Sequence, residues 1–276
     1  AGANWKSHAK DDTTQQESDT VSYNHFWNCA KSSQNETGIM IIDEFEYWRN
    51  LQDFSEPWYK TLCHEYRHLR KEELPDGVEF GIAYKTISIN VHTYLNYLLN
   101  TFTLLGGTTQ RVNLSHLLEC IGSETDVVIN CSGIHARTLK GVEDPKVYAV
   151  RGQLVVAQFP RPQNWAFFVH GDKRPEMTYA IPRDNGEVIL GGTYEEHNYS
   201  TDINYDIATG IIRRCLAVRP DLKPKDQPQL TIKEHIVGFR PCRKGGVRVD
   251  AEWTTFRESG KKVLICHNYG HGGAGK

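Results

Sequence analysis

Three β-rich runs broken by glycine turns constrain the second half of this 276-residue chain more than any other feature. They are YAVRGQLVVAQF (148–159), MTYAIPRDNGEVILGGTY (177–194) and HIVGFRPCRKGGVRVDAEW (235–253). Branched and aromatic side chains suit a pleated, half-buried surface, and the Asn-Gly and Gly-Gly pairs reverse the chain between strands. The spacing predicts an antiparallel sheet. Two further runs differ in kind. TDVVINCSG (125–133) and KKVLICHNYG (261–270) are apolar strands that each run into a glycine, the pattern of buried parallel strands.

Helical periodicity fills the remaining stretches. INYDIATGIIRRCLAVRPDL (203–222) reads as one amphipathic helix stopped by Pro220. TTQQESDTVSYNHFWNCA (13–30) places Val21, Tyr23, Phe26 and Trp27 at roughly helical spacing. ISINVHTYLNYLLNTFTLLGG (87–107) reads as a helix entered from a Ser/Asn cap and closed by Gly106-Gly107. Helix and parallel-type strand, then antiparallel sheet, then a last parallel-type strand predict a mixed α/β (α+β) fold of two interleaved layers.

Charge narrows the function classes. With 32 basic and 34 acidic residues the formal net charge is -2, so no electrostatic case for nucleic acid exists. No apolar run approaches the ~20 residues of a membrane span, and the opening AGANWKSHAKDD resembles no leader peptide. The seven cysteines lack any C-x-x-C pair and are expected as free thiols in a reducing, intracellular compartment.

Two short motifs spell rival chemistries. His64-Glu65-Tyr66-Arg67-His68 fits H-E-x-x-H, the zinc metallopeptidase pattern in which two histidines one helical turn apart hold the metal. Lys71 stands where the extended motif wants glycine, and Pro57 interrupts the approach, so a charged surface segment is the plainer reading. Gly270 to Lys276 fit G-x-x-x-x-G-K, but the Ser/Thr and helix that complete a phosphate loop are not in the sequence. There the plainer reading is a glycine turn that lets backbone approach a ligand.

Taken in order, AGANW, DVVINCSG, VRGQ, TYAIPR, ILGGTY, VGFRPCRKGGVRV and HNYGHGGAG resemble the D-amino-acid oxidase family of flavoproteins. The resemblance implies a Rossmann-like FAD-binding layer, incomplete here, interleaved with an antiparallel-sheet substrate domain. On that basis residues 1–30, 86–147 and 255–276 are expected in the FAD-binding domain, and 31–85 and 148–254 in the substrate domain. The family carries G-x-G-x-x-G before its AGANW-like segment and a helix after HNYGHGG, so the chain is expected to be an internal fragment. The resemblance also places TLCHEYRHL in a metal-free strand.

The implied reaction is FAD-dependent oxidation of D-amino acids by molecular oxygen to 2-oxo acids, ammonia and hydrogen peroxide. No catalytic base is implied, since His267 and His271 read as packed or loop residues. For the substrate, the resemblance implies Arg240 as the α-carboxylate clamp, Tyr179 as its hydroxyl partner, Tyr194 beside the side chain and Gly273 accepting from the amine. For the flavin it implies Gly2, Ala3, Leu114, Ser132, Gly133, Gly272, Gly273 and Gly275. Relatives acting on D-aspartate carry arginine at the Tyr194 position. Tyrosine there, followed by Glu195 and Glu196, favours neutral D-amino acids, while Arg174 of the preceding loop could supply a cation, which keeps a D-aspartate oxidase of the same family as the alternative. Pro175 replaces a second family tyrosine. A peroxisomal or cytoplasmic setting and a homodimer complete the implied picture, with no membrane or nucleic-acid partner.

Overall fold

A computed structural model gives the fold and describes residues 3–32, 34–223, 229–255 and 260–273. The elements in chain order are β1 (Ala3–Asn4), α1 (Thr13–Ser32), α2 (Gln34–Thr37), β2 (Ile39–Trp48), β3 (His64–His68), β4 (Phe80–Ile89) and α3 (Val91–Leu104). There follow β5 (Val127–Asn130), β6 (Val147–Gln158), β7 (Trp165–His170), β8 (Glu176–Pro182), β9 (Glu187–Thr193) and β10 (Glu195–Glu196). The chain then forms α4 (Tyr205–Val218), β11 (Ile232–Arg243), β12 (Arg248–Thr255) and β13 (Lys262–Tyr269).

Among the described residues the strands form a ten-stranded sheet, β1-β4-β2-β7-β8-β9-β6-β10, with β11 also on β6 and β3 on β4, and a three-stranded sheet, β12-β13-β5. Pairing is antiparallel throughout the large sheet except between β2 and β7. In the small sheet β13 runs parallel to β5, as the two apolar runs predict. The mixed α/β class is therefore as read from the sequence.

Two expectations need correction. Gly245-Gly246 does not close a hairpin: β11 pairs with β6, whereas β12 crosses to β13 in the other sheet. The helix α3 begins at Val91 with Asn90 at its N-cap position, as read, while Ile87, Ser88 and Ile89 before it are held in the β4 ladder opposite Ile41, Met40 and Ile39. Its end is as expected, since Gly106 N–H donates to Thr103 and Gly107 N–H to Phe102, a Schellman closure. Finally β5 is not buried on both faces: Val127 and Ile129 are 50% and 67% exposed.

The main core lies between the large sheet and α4. The Asn204 side chain caps this helix, accepting from the N–H groups of Asp206 (2.9 Å) and Ile207 (3.1 Å). Ala208, Ile211 and Cys215 recur at helical spacing and sit fully buried against Val155, Phe167, Ala180 and Leu190. Truncating Ile211 to alanine would cost about 2–5 kcal/mol. A second core packs α1, through Tyr23 and Ala30, over Trp5, Trp48, Tyr59 and Tyr84.

Candidate functional site

Arg240 lies on β11 opposite Val150 of β6, two residues beyond the facing pair Gly238 and Gly152. Its guanidinium lies close over Gly152, where an added Cβ would stand 2.6 Å from Nη1. One Nη1 hydrogen bond goes to the Thr193 carbonyl at 3.1 Å, and no carboxylate pairs with Arg240 among the described residues. Gly273 adjoins the same side chain, its would-be Cβ 3.3 Å from Arg240 Cδ. A half-buried guanidinium with most donors uncommitted is a ready clamp for a free carboxylate.

Tyr179 on β8 is buried with its ring flat against Gly191 of β9, so close that a Cβ there would overlap the ring. Burial lifts its hydroxyl above the usual tyrosine range, and the hydrogen-bonded Arg240 opposes the shift. Tyr194 follows β9, and its ring lies under both Arg240 (5.5 Å) and Arg174 (3.6 Å). Arg240, Tyr179, Tyr194 and Gly273 are thus brought into one cluster, as expected.

The turn after β13 reaches the same cluster. Gly272 N–H donates to the Pro241 carbonyl at 2.9 Å, and His271 bridges Cys242. Across β13, Ser132 and Gly133 follow β5, with Gly133 in the left-handed region and a Cβ added there 3.9 Å from the Pro241 side chain. Ser132 Oγ is buried without a hydrogen-bond partner among the described residues. Ala3 lies on β1 beside Ile89. Leu114 is exposed in the loop beyond α3. Gly2 and Gly275 lie outside the described residues.

His267 is a packed residue. Asn130 Nδ2 donates to its Nδ1 at 3.0 Å, so its Nε2 carries the proton and donates to Glu252 Oε1, also 3.0 Å away. The zinc motif fares differently from its spelling. His64 and His68 end the strand β3, where four residues span roughly 13 Å rather than one helical turn. The His64 ring stacks on Trp27 at 4.2 Å, and His68 hydrogen-bonds Glu56.

One group escaped the sequence reading. Glu44 and Glu46, on one face of β2, are each 1% exposed. Glu46 accepts from Lys6 (2.7 Å), His170 (2.6 Å), Tyr59 (2.7 Å) and Tyr84 (2.7 Å). Burial alone would raise its carboxyl, but Lys6 and His170 hold it well below the usual range. Among the described residues Glu44 accepts from Asn4 Nδ2 alone, at 2.8 Å, and burial pushes it up to about 8. Lys6 also lies 3.8 Å over the Phe168 ring, itself stacked with Tyr179, so the cluster borders the site. Two acids at i and i+2 inside the apolar run IMIIDEFEYW were the available signal.

Comparison with known proteins adds to this geometry. The family described as DAO, FAD dependent oxidoreductase, matches residues 29–276. A D-amino-acid oxidase of Schizosaccharomyces pombe is 33% identical over 281 residues, covering 100% of this chain and 78% of that protein. A D-amino-acid oxidase of Rubrobacter xylanophilus is 36% identical over 240 residues, covering 87% and 68%. Among solved structures, glycine oxidase from Geobacillus kaustophilus aligns with a TM-score of 0.69 at 13% identity, over 97% of this chain and 75% of that one. Iminodiacetate oxidase from Chelativorans aligns with a TM-score of 0.68 at 16% identity, over 99% and 80%.

Proposed function

The chain belongs to the FAD dependent oxidoreductase family, and from that premise we propose that the Arg240 cluster binds D-amino acids for oxidative deamination. The overall change takes a D-amino acid, oxygen and water to a 2-oxo acid, ammonia and hydrogen peroxide. Bound FAD supplies a two-electron acceptor that oxygen regenerates.

The chain's own residues hold the substrate. Arg240 clamps the α-carboxylate through two parallel N–H donors, and the Tyr179 hydroxyl donates a third hydrogen bond to it. The Gly273 carbonyl accepts from the amine, which together with the carboxylate clamp fixes the orientation of Cα. No side chain acts as base, and the two committed ring nitrogens of His267 accord with that. On the flavin side stand Ser132, Gly133 and Gly272, with Ala3 on β1; the orphaned Ser132 hydroxyl fits a polar group of the cofactor. Gly2, Leu114 and Gly275 belong to the same assignment. The small sheet and β1 then serve the flavin, and the rest of the large sheet serves the substrate.

The observation that carries this reading is Arg240, an arginine without an acid partner among the described residues, set beside a buried tyrosine hydroxyl and a glycine turn. Peroxidase-coupled detection of hydrogen peroxide from the full-length protein tests it. D-Alanine should give peroxide and L-alanine none; silence across a D-amino-acid panel with flavin bound would refute the reading. A product as reactive as hydrogen peroxide suits a peroxisomal setting, which is part of the same proposal.

A further inference from the structure

Side chains directly opposite one another on neighbouring strands project from the same face of a sheet. Glu46 of β2 faces Phe168 of β7, Phe168 faces Tyr179 of β8, and Tyr179 faces Gly191 of β9. One row of side chains therefore runs from the buried glutamate to the tyrosine of the site. Its two rings are nearly parallel, 13° apart with centroids separated by 6.2 Å. Lys6 lies on this row. Its Nζ is 3.8 Å from the centre of the Phe168 ring, 2.7 Å from Glu46 Oε2 and 3.3 Å from His170 Nε2. His170 meets the Phe168 ring edge-on at 4.9 Å and is itself stacked on Trp48 at 4.2 Å. The carboxylate that aims the ammonium is fixed in turn, since Tyr59 and Tyr84 each donate to Glu46 Oε1 at 2.7 Å.

We infer that Lys6 is a positioning residue for Tyr179, acting through the Phe168 ring that it covers. This rests on the reading of Tyr179 as a hydrogen-bond donor to the substrate carboxylate. An ammonium over an aromatic face is held by the ring's quadrupole, and more strongly where water is excluded. Here the lysine side chain is 11% exposed and its glutamate partner 1%. Glu46 fixes the lysine head, and the head fixes the ring. Phe168 is only half-buried, so the ammonium covers part of what strand packing leaves open. Tyr179 then lies between the pinned Phe168 ring on one side and the bare backbone of Gly191 on the other. Held there, its hydroxyl stays with Arg240. Lys6 also follows β1, so one side chain joins the strand assigned to the flavin to the row that carries Tyr179.

The test uses the FAD-loaded full-length protein. Removing the lysine alone would leave Glu46 buried without its cation, so Lys6→Met is combined with Glu46→Gln, which takes both charges away together. In this neutral pair KM for D-alanine should rise about fivefold, the scale of one cation–π contact, with kcat changed less than about twofold. Phe168→Leu, which keeps the ion pair, should raise KM by a similar factor, and the neutral pair should add nothing to it. Unchanged KM in the folded pair, or effects that multiply when combined, overturns the inference. If the pair does not fold, Lys6→Gln, whose amide still reaches Glu46 without a charge over the ring, carries the same expectation. Should no D-amino acid be oxidised, the proposed reaction fails separately, and fluorine NMR of protein carrying fluorotyrosine decides. The Tyr179 signal, identified by its loss in Tyr179→Phe, should move in the neutral pair, and the pair should move it no further once Phe168 is leucine. A Tyr179 signal at the same place in parent and neutral pair overturns the role of Lys6.

Discussion

Gly152 leaves room for Arg240: a methyl group on residue 152 would stand 2.6 Å from Nη1, 2.9 Å from Nη2 and 3.0 Å from Cζ. The atoms met are the mobile end of a long side chain, so Gly152→Ala should fold yet push the clamp aside. KM for D-alanine should rise about tenfold with melting temperature little changed, the cost of one misplaced charge-assisted bond. Unaltered KM in the folded variant would show that the guanidinium works from elsewhere.

Replacing the clamp itself separates charge from shape. Arg240→Lys keeps the positive charge but loses the planar fork. Each charge-assisted bond contributes roughly 1.5–3 kcal/mol, so kcat/KM should drop about tenfold or more. Kinetics equal to those of the parent would remove Arg240 from the site.

Ser132 offers a test that needs no turnover. Its buried Oγ has no partner among the described residues, so Ser132→Ala should leave the flavin-free protein as stable as the parent, or slightly more so. FAD affinity, read from the quenching of flavin fluorescence, should weaken by about 1 kcal/mol. A loss of flavin-free stability with FAD affinity intact would place the hydroxyl in the fold instead.

The buried pair on β2 predicts a pH dependence of stability. Glu44 is pushed by burial up to about 8 from 4.5, so the folded state favours its protonated form. Its contribution is fully present below 4.5 and is lost as pH rises through about 8. Glu46 has the opposite sign: its carboxyl is depressed by Lys6 and His170 against the effect of burial, and its contribution is lost as pH falls. Glu44→Gln keeps an acceptor for Asn4 without the charge. Between pH 5 and pH 8 its melting temperature should fall less than the parent's by about 2–4 °C for each kcal/mol involved. Parallel curves would mean Glu44 ionises freely.

The fold was legible where burial followed the local pattern. The apolar runs at β5 and β13, the capped amphipathic α4 and the glycine-closed α3 announce themselves over a few residues. β2 did not, because Glu44 and Glu46 interrupt an apolar run, and the partners that make their burial tolerable come from residues 6, 59, 84 and 170. The Gly245-Gly246 turn misled for the same reason: turn chemistry fixes a reversal, and the partner strand is chosen by the tertiary fold. At the site, Arg240, Tyr179 and Tyr194 emerged from an ordered set of short matches. Gly152 stands within VRGQ, one of those matches, and a glycine inside a strand already signals close approach. The Arg174 stack joins a loop to a strand end through space, and local pattern alone did not fix it.

The most direct test follows flavin colour without oxygen. The full-length protein, loaded with FAD and mixed anaerobically with D-alanine, should lose its visible flavin absorbance and recover it when oxygen is admitted, with hydrogen peroxide formed in equal amount. L-Alanine should leave the spectrum unchanged. A flavin that is bound yet stays oxidised with every D-amino acid offered would contradict the assignment of the Arg240, Tyr179 and Gly273 cluster as a D-amino-acid site.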